Sequence, residues 1–155
     1  MKVAIIMGSD SDFPIVEKGY SILKDFGVEA DVRVISAHRT PDEALSFAKN
    51  AETMGYELIK CAALPGILAG CTSLPVIGVP IKSSELDGMD ALFSIVQMPP
   101  GVPVATVGIN AAGNAALLAV QILSVKYSDL RVKFNEYKKQ MAKKVFDKNK
   151  KLNDK

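Results

Sequence analysis

The chain has almost no histidine: His38 is the single one among its 155 residues. Histidine is the side chain that exchanges a proton most readily near neutral pH, so any acid–base chemistry through an imidazole must use His38. One histidine also excludes the zinc sites that are built from several histidines.

Cysteine is scarce as well. The two cysteines, Cys61 and Cys71, have no second pair and no histidine nearby to complete a metal-binding set. A disulfide framework or a structural zinc site is therefore not expected. We expect two free thiols in a reducing cytoplasm and no bound metal.

Long hydrophobic runs are missing too. No apolar run reaches the length that spans a membrane, and the apolar run that ends at Met7 meets Gly8 too early to form the core of a signal peptide. We expect a soluble, cytoplasmic protein with no membrane partner.

Positive charge is concentrated at one end of the chain. The net charge is +2, but residues 128–155 carry ten Lys or Arg against four Asp or Glu, which leaves a net −4 on residues 1–127. The basic tail has few aromatic residues and no recognition motif for nucleic acid. A solvated helix face is therefore favoured, and no nucleic-acid partner is expected.

Strand-like and helix-like segments alternate along the first 127 residues. Lys2–Met7 is a continuous run rich in β-branched residues, typical of a strand that is buried on both faces of a parallel sheet. Alternating strands and helices predict the α/β class, with a doubly wound parallel sheet and right-handed crossovers. The other predicted strands are Ala30–Ile35, Tyr56–Ile59, Pro75–Ile81 and Val102–Ile109.

Helix signals fill the segments between these strands. A first helix has Pro14 in its first turn and closes at Gly27, and a second starts at Thr40–Glu43 and ends before Gly55. The remaining predicted helices are Pro65–Cys71, Gly88–Gln97, Ala111–Val125 and Ser128–Leu152.

Residues 1–127 are predicted to form the single domain, and residues 128–155 a basic amphipathic helix. An apolar stripe recurs along that helix at helical spacing. Folding back on its own domain and packing on a neighbouring subunit explain the stripe equally well. Its members are Leu130, Phe134, Tyr137, Met141 and Val145.

Two predicted loops carry the polar groups that chemistry needs, and both follow strands. In an open parallel sheet, ligands bind outside the carboxyl ends of the strands. Gly8–Asp12 offers hydroxyls and backbone N–H groups at a helix N-terminus, a suitable seat for a phosphate. Ser36–Arg39 offers a hydroxyl, an imidazole and a guanidinium that can bind phosphate through two hydrogen bonds.

Each loop also has a plainer explanation. Ser9, Ser11 and Asp12 are common helix-capping residues, so capping and ligand binding explain them equally well. His38 could bond to a neighbouring carbonyl, but its place beside Arg39 at a strand end favours a function. Phosphate loops of the ATP-binding or NAD-binding type are absent, so neither nucleotide is indicated.

Five motifs, in this order, resemble the PurE family of purine biosynthesis over roughly residues 2–127. The resemblance implies a flavodoxin-like three-layer α/β/α sandwich with an extra C-terminal helix, assembled as a homo-octamer. The motifs are Met7–Asp12, Ser36–Pro41, Leu74–Pro80, Ser94–Pro99 and Asn114–Ala119.

The resemblance also implies a reaction. N5-carboxyaminoimidazole ribonucleotide would be isomerised to 4-carboxy-5-aminoimidazole ribonucleotide without metal, nucleotide or biotin. A related carboxylase class, which takes free CO₂, tends to have lysine where Arg39 stands, so Arg39 favours the mutase. A noncatalytic ribonucleotide-binding module is the remaining alternative.

Roles for individual residues follow from the same resemblance. His38 would be the general acid and base, and Asp12 would bond the ribose hydroxyls. Ser9 would lie near the base and its carboxylate. The remaining residues expected to bind substrate are Ser11, Ser36 and Arg39 at the 5′-phosphate, together with Ala37 and Leu64.

The chain departs from the family pattern after its third predicted strand. About five residues of a glycine-rich loop are missing between Ile59 and Lys60, and Ala63 stands where the family has a second histidine. Either the deletion is real, or a loop is absent from the sequence as numbered. The very short strand Tyr56–Ile59 favours the second explanation, because a truncated strand would leave its neighbours unpaired.

Overall fold

The computed structural model describes residues 1–62, 64–82 and 86–153. All strand pairings in its five-stranded sheet are parallel, and the strand order is β2-β1-β3-β4-β5. The predicted α/β class with a doubly wound parallel sheet is confirmed. The strands are β1 (Lys2–Met7), β2 (Glu29–Val34), β3 (Leu58–Cys61), β4 (Val76–Gly78) and β5 (Ala105–Thr106).

Six α-helices accompany the strands in the described part of the chain. The first follows a short 3₁₀ turn at Asp10–Asp12, and Gly27, at φ 78°, ends it as predicted. The helices are α1 (Phe13–Asp25), α2 (Pro41–Asn50), α3 (Pro65–Ala69), α4 (Met89–Val96), α5 (Ala112–Leu123) and α6 (Ser128–Asn153).

The sheet core has two sides. Ala4 and Ile6 of β1 and Ile59 of β3 share a buried cluster with residues of α2 and α3. Because side chains alternate along a strand, Ile5 and Lys60 face the opposite side. There Lys60 lies against Gly19 of α1, and α1 closely approaches the backbone of α5 at this glycine.

Strands β4 and β5 are shorter than predicted, and prolines explain the bounds of β4 and the late start of β5. Pro75 and Pro80 flank β4, and Pro103 precedes β5. A proline has no backbone N–H to donate to a neighbouring strand, so it cannot continue a hydrogen-bonded ladder. The predicted strand Pro75–Ile81 therefore shortens to the segment between its two prolines, and the predicted strand Val102–Ile109 starts only after Pro103.

Strand β3 begins two residues later than the predicted Tyr56–Ile59. Leu58 pairs with Val3, Cys61 pairs with Ile6, and the Ala62 N–H donates to the Ile6 carbonyl at 2.9 Å. The ladder beside β1 is thus complete through Cys61, so β1 has no unpaired groups there that would indicate a missing loop.

This register places Lys60 inside the protein. Its side chain is 1% exposed, and its Nζ has no hydrogen-bond partner among the described residues. Burial lowers the pKa of the Lys60 ammonium from 10.5 to about 8, because a charge is costly to remove from water.

The chain divides into two compact units, Met1–Ala119 and the segment from Val120 onward. In the second unit, α6 spans nearly the predicted range. Leu130 and Phe134 of its apolar stripe are buried, whereas Met141 and Val145 are exposed. None of the helices in the described ranges is long and apolar enough to cross a membrane.

Replacing Lys60 tests how much its buried ammonium group destabilises the folded chain. The unfolded chain keeps the Lys60 proton up to about pH 10.5 and the folded chain up to about pH 8, so stability should rise with pH between these values. Lys60→Met should remove that rise and increase the free energy of unfolding at pH 7 by on the order of 3 kcal/mol. Urea unfolding at a series of pH values measures both effects.

Lys18→Met, which removes an exposed lysine of α1, is the matched control and should change neither quantity appreciably. A Lys60→Met protein that is less stable at pH 7, or that keeps the rise above pH 8, would contradict the assigned cost.

Candidate active site

Two polar loops meet at the carboxyl ends of β1 and β2. The strands pair in parallel from Lys2–Glu29 to Met7–Val34, so their following loops leave the sheet side by side. Arg39 of the second loop donates through Nη2 to the Gly8 carbonyl of the first at 2.7 Å. The expectation that adjacent strands bring these loops together is confirmed.

The first loop is organised by Ser9. Its hydroxyl oxygen accepts hydrogen bonds from the Ser11 N–H at 3.3 Å and from the Ser11 hydroxyl at 2.9 Å. Ser9 therefore caps the 3₁₀ turn, which agrees with the explanation of Ser9 as a helix-capping residue. Asp12 precedes α1 but makes no side-chain capping bond, so capping does not explain its carboxylate.

Asp12 has an unfavourable environment for a carboxylate. Burial raises its pKa, and the charge of Asp10 adds to this, while backbone hydrogen bonds from Ser9 and Gly8 oppose the rise. The carboxylate is half-buried at the edge of the loop. A carboxylate that is kept in this environment although it caps no helix fits a role in binding a ligand.

The second loop is organised by Ser36. The Ser36 hydroxyl oxygen accepts hydrogen bonds at 3.3 Å from both the backbone N–H and the Nε of Arg39. The same guanidinium therefore spans Ser36 and Gly8, which lie in different loops. Arg39 is exposed, so its remaining N–H groups face solvent.

His38 lies next to this bridge. Its side chain is exposed and makes no hydrogen bond to another described residue, so the explanation of a histidine bonded to a nearby carbonyl does not apply. Ala37, which precedes it, is half-buried. The imidazole is thus free to meet a ligand at the mouth of the two loops.

Leu64 lies on a third loop, between β3 and α3. It adopts a left-handed conformation at φ 49° and ψ 52°, which is uncommon for a residue other than glycine. Its carbonyl accepts the Ile67 N–H at 3.1 Å. No hydrogen bond between described residues joins Leu64 to the other two loops, and Ala63 lies outside the described residues.

The pair β1 and β3 marks the point where the strand order reverses, which is where ligands bind in sheets of this order. The Gly8–Asp12 loop and Leu64 leave the sheet on the two sides of that point. In the described ranges, no three His, Cys, Asp or Glu side chains are grouped closely enough to hold a metal ion.

Two residues were missed by the reasoning from sequence. Lys60 was passed over, although a lysine inside the apolar run Leu58–Cys61 is an available signal. In the sequence, Thr40 indicates only the start of α2 and a place in the motif Ser36–Pro41, yet its hydroxyl bonds the backbone of Ser36. No sequence pattern distinguishes that arrangement from an ordinary helix cap.

Comparison with known proteins gives a consistent result. Residues 2–144 match the profile of the family described as AIR carboxylase. The chain is 52% identical to the N5-carboxyaminoimidazole ribonucleotide mutase of Thermotoga maritima, over 97% of this chain and 91% of that protein. It is 49% identical to the mutase of Methanocaldococcus jannaschii, over 98% of each chain.

The fold has a solved counterpart as well. The crystal structure of Treponema denticola PurE superposes with a TM-score of 0.89 at 32% identity, covering 97% of this chain and 98% of that one. The alignment with the T. maritima protein has 156 positions while covering 97% of this 155-residue chain, so several positions have no counterpart here.

The family profile spans most of the chain, and the mutase relatives are about half identical over nearly all of it. Two of the five motifs that indicate the PurE family, Met7–Asp12 and Ser36–Pro41, lie in the loops joined by Arg39. The chain therefore belongs to the AIR carboxylase family, the PurE family that its motifs indicate.

Proposed function

We propose that the protein is a mutase of purine biosynthesis that converts N5-carboxyaminoimidazole ribonucleotide to 4-carboxy-5-aminoimidazole ribonucleotide. The relatives from T. maritima and M. jannaschii carry the name of this mutase. The observation that carries the proposal is the bridge from Arg39 to Gly8, which joins both motif loops beside an exposed His38.

The 5′-phosphate is assigned to Ser11, Ser36 and Arg39. Arg39 uses Nε and Nη2 within the protein, and its other N–H groups remain for an anion. The exposed Ser11 hydroxyl adds a donor from the first loop once it turns from Ser9. Two loops thus supply donors to one phosphate.

The ribose and the base of the substrate are assigned to residues beside this phosphate site. Asp12 accepts hydrogen bonds from the ribose hydroxyls. Its carboxylate is available for them because it caps no helix. Ser9 is assigned to the base and its carboxylate, and Ala37 and Leu64 are assigned to further contacts with the substrate. No residue in this assignment requires a metal or an organic cofactor.

His38 carries the proton in both halves of the reaction. The imidazolium donates a proton to N5 as the carbamate bond breaks and CO₂ is released within the site. The enamine-like C4 then attacks that CO₂, and the imidazole, now neutral, removes the C4 proton to restore the aromatic ring. The histidine ends in its starting state, and no other reactant is consumed.

Two alternatives remain as outcomes of an assay. The first alternative is the CO₂-dependent carboxylase. A relative from Vigna aconitifolia named phosphoribosylaminoimidazole carboxylase is 45% identical to this chain, and the match covers 28% of that protein. The three residues between Cys61 and Pro65 favour a noncatalytic binding module, because so short a connection gives little cover to a CO₂ intermediate.

The proposal extends to location and assembly. A cytoplasmic protein accords with Cys61 and Cys71, which form no disulfide in the described part of the chain. The family resemblance adds a homo-octamer in which residues 128–155 pack on a neighbouring subunit. The exposed apolar residues Met141 and Val145 of α6 are available for such packing.

A direct assay separates the three functions. Purified protein is given the carboxyamino substrate in one reaction and aminoimidazole ribonucleotide with bicarbonate in another, and formation of the 4-carboxy product is followed. We expect rapid conversion of the first substrate and slow conversion of the second. Preference for bicarbonate would indicate the carboxylase, and binding of either ribonucleotide without product would indicate the module.

His38→Asn tests the proton carrier. Asparagine keeps a polar side chain of similar size but cannot exchange a proton, so turnover should fall by about 100-fold or more. Because His38 is exposed and makes no hydrogen bond to another described residue, the melting temperature and binding of the ribonucleotide should change little. Turnover near the original rate would remove His38 from the mechanism.

Asp12→Asn separates stability from binding. Burial raises the pKa of Asp12, so the charged form is disfavoured in the folded state and its removal should not lower the melting temperature at pH 7. Loss of the charged acceptor should raise KM about tenfold or more. Asp10→Asn, which alters an exposed carboxylate in the same turn, is the control. Equal KM values for both variants would contradict the ribose assignment.

A further inference from the structure

Thr40 occupies the residue before α2, where a threonine hydroxyl usually accepts a hydrogen bond from the first turn of the helix. Its side chain makes no such capping bond. The hydroxyl turns back along the chain instead and bonds the backbone of Ser36 twice. Some helix stabilisation is therefore given up for contacts within the loop.

The two bonds form a reciprocal pair. The Thr40 hydroxyl donates to the Ser36 carbonyl at 3.0 Å, and its oxygen accepts the Ser36 N–H at 3.2 Å. The Thr40 N–H also donates to the same carbonyl at 2.6 Å. Residues 36–40 are thus closed into a ring whose ends are fixed to each other.

His38 stands at the middle of this ring. Its imidazole makes no hydrogen bond to another described residue, so its position depends on the backbone that carries it. Arg39 fixes the ring to Gly8, and the Thr40 hydroxyl adds two bonds to the backbone and Ser36 hydroxyl bonds that hold the shape of the ring. Within the described residues, the Thr40 side chain is the one that bonds both backbone groups of Ser36.

We propose that Thr40 is a positioning residue, whose hydroxyl holds residues 36–40 in the conformation that presents the His38 imidazole to the substrate. The role in turnover rests on the mutase function proposed above. A displacement of about 1 Å in a catalytic group can cost up to about 100-fold in rate, so a loop of this kind needs a fixed shape. The Thr40 hydroxyl contributes to this fixed shape without touching the substrate.

The test compares Thr40→Val, which keeps the shape but loses the hydroxyl, with Thr40→Ser, which keeps the hydroxyl. Thr40→Val should lower kcat by about 10- to 100-fold with a smaller change in KM, because the phosphate donors remain. Thr40→Ser should retain most of the activity. Thr53→Val is the control, because it removes a comparable hydroxyl bond, 2.8 Å to the Asn50 carbonyl, beyond α2.

A second readout does not depend on activity. Since His38 is the single histidine, its imidazole carbons give a single set of NMR signals. Those signals should broaden or split in Thr40→Val and stay sharp in Thr40→Ser and Thr53→Val. Wild-type protein without turnover would refute the mutase function, while the NMR comparison would still test the loop.

Three results would overturn the positioning role. The first is an unchanged kcat together with sharp imidazole signals in Thr40→Val. The second is equal loss in Thr40→Ser, which would point to the methyl group. The third is equal loss in Thr53→Val, which would indicate a general effect on α2.

Discussion

The parallel pairing of β1 with β2 is the constraint on which the site depends. Six consecutive residue pairs hold these strands in register, and both loops leave the sheet immediately after the last pair, Met7 with Val34. Without that register, Arg39 could not reach the Gly8 carbonyl. The buried, β-branched sequence of β1 thus acts on the site indirectly, by fixing where two polar loops begin.

The same sheet forces an unfavourable arrangement on β3. The ladder with β1 continues through Cys61, and only three residues then precede α3. Lys60 consequently occupies an interior position of the sheet, where alternation directs its amine toward Gly19 instead of toward water.

Local signals predicted much of the fold. The bounds of β1 were right to the residue, and Gly27 and Pro41 marked a helix end and a helix start, because each acts through its own backbone conformation. The register of β3 could not be predicted in this way. It depends on pairing with Val3–Ile6, more than fifty residues earlier in the chain.

By itself, the sequence determined the order of the elements, the parallel class of the sheet, the two polar loops and the family, because periodicity, turn residues and motifs are local properties. Tertiary structure alone decided that Lys60 is buried, that Arg39 joins two loops, and that the Thr40 hydroxyl bonds Ser36 instead of capping α2. Each of these depends on which donors, acceptors and apolar surfaces the folded chain places within reach. A hydroxyl or an amine has the same chemistry in every position, and its neighbours in space select which bond it makes.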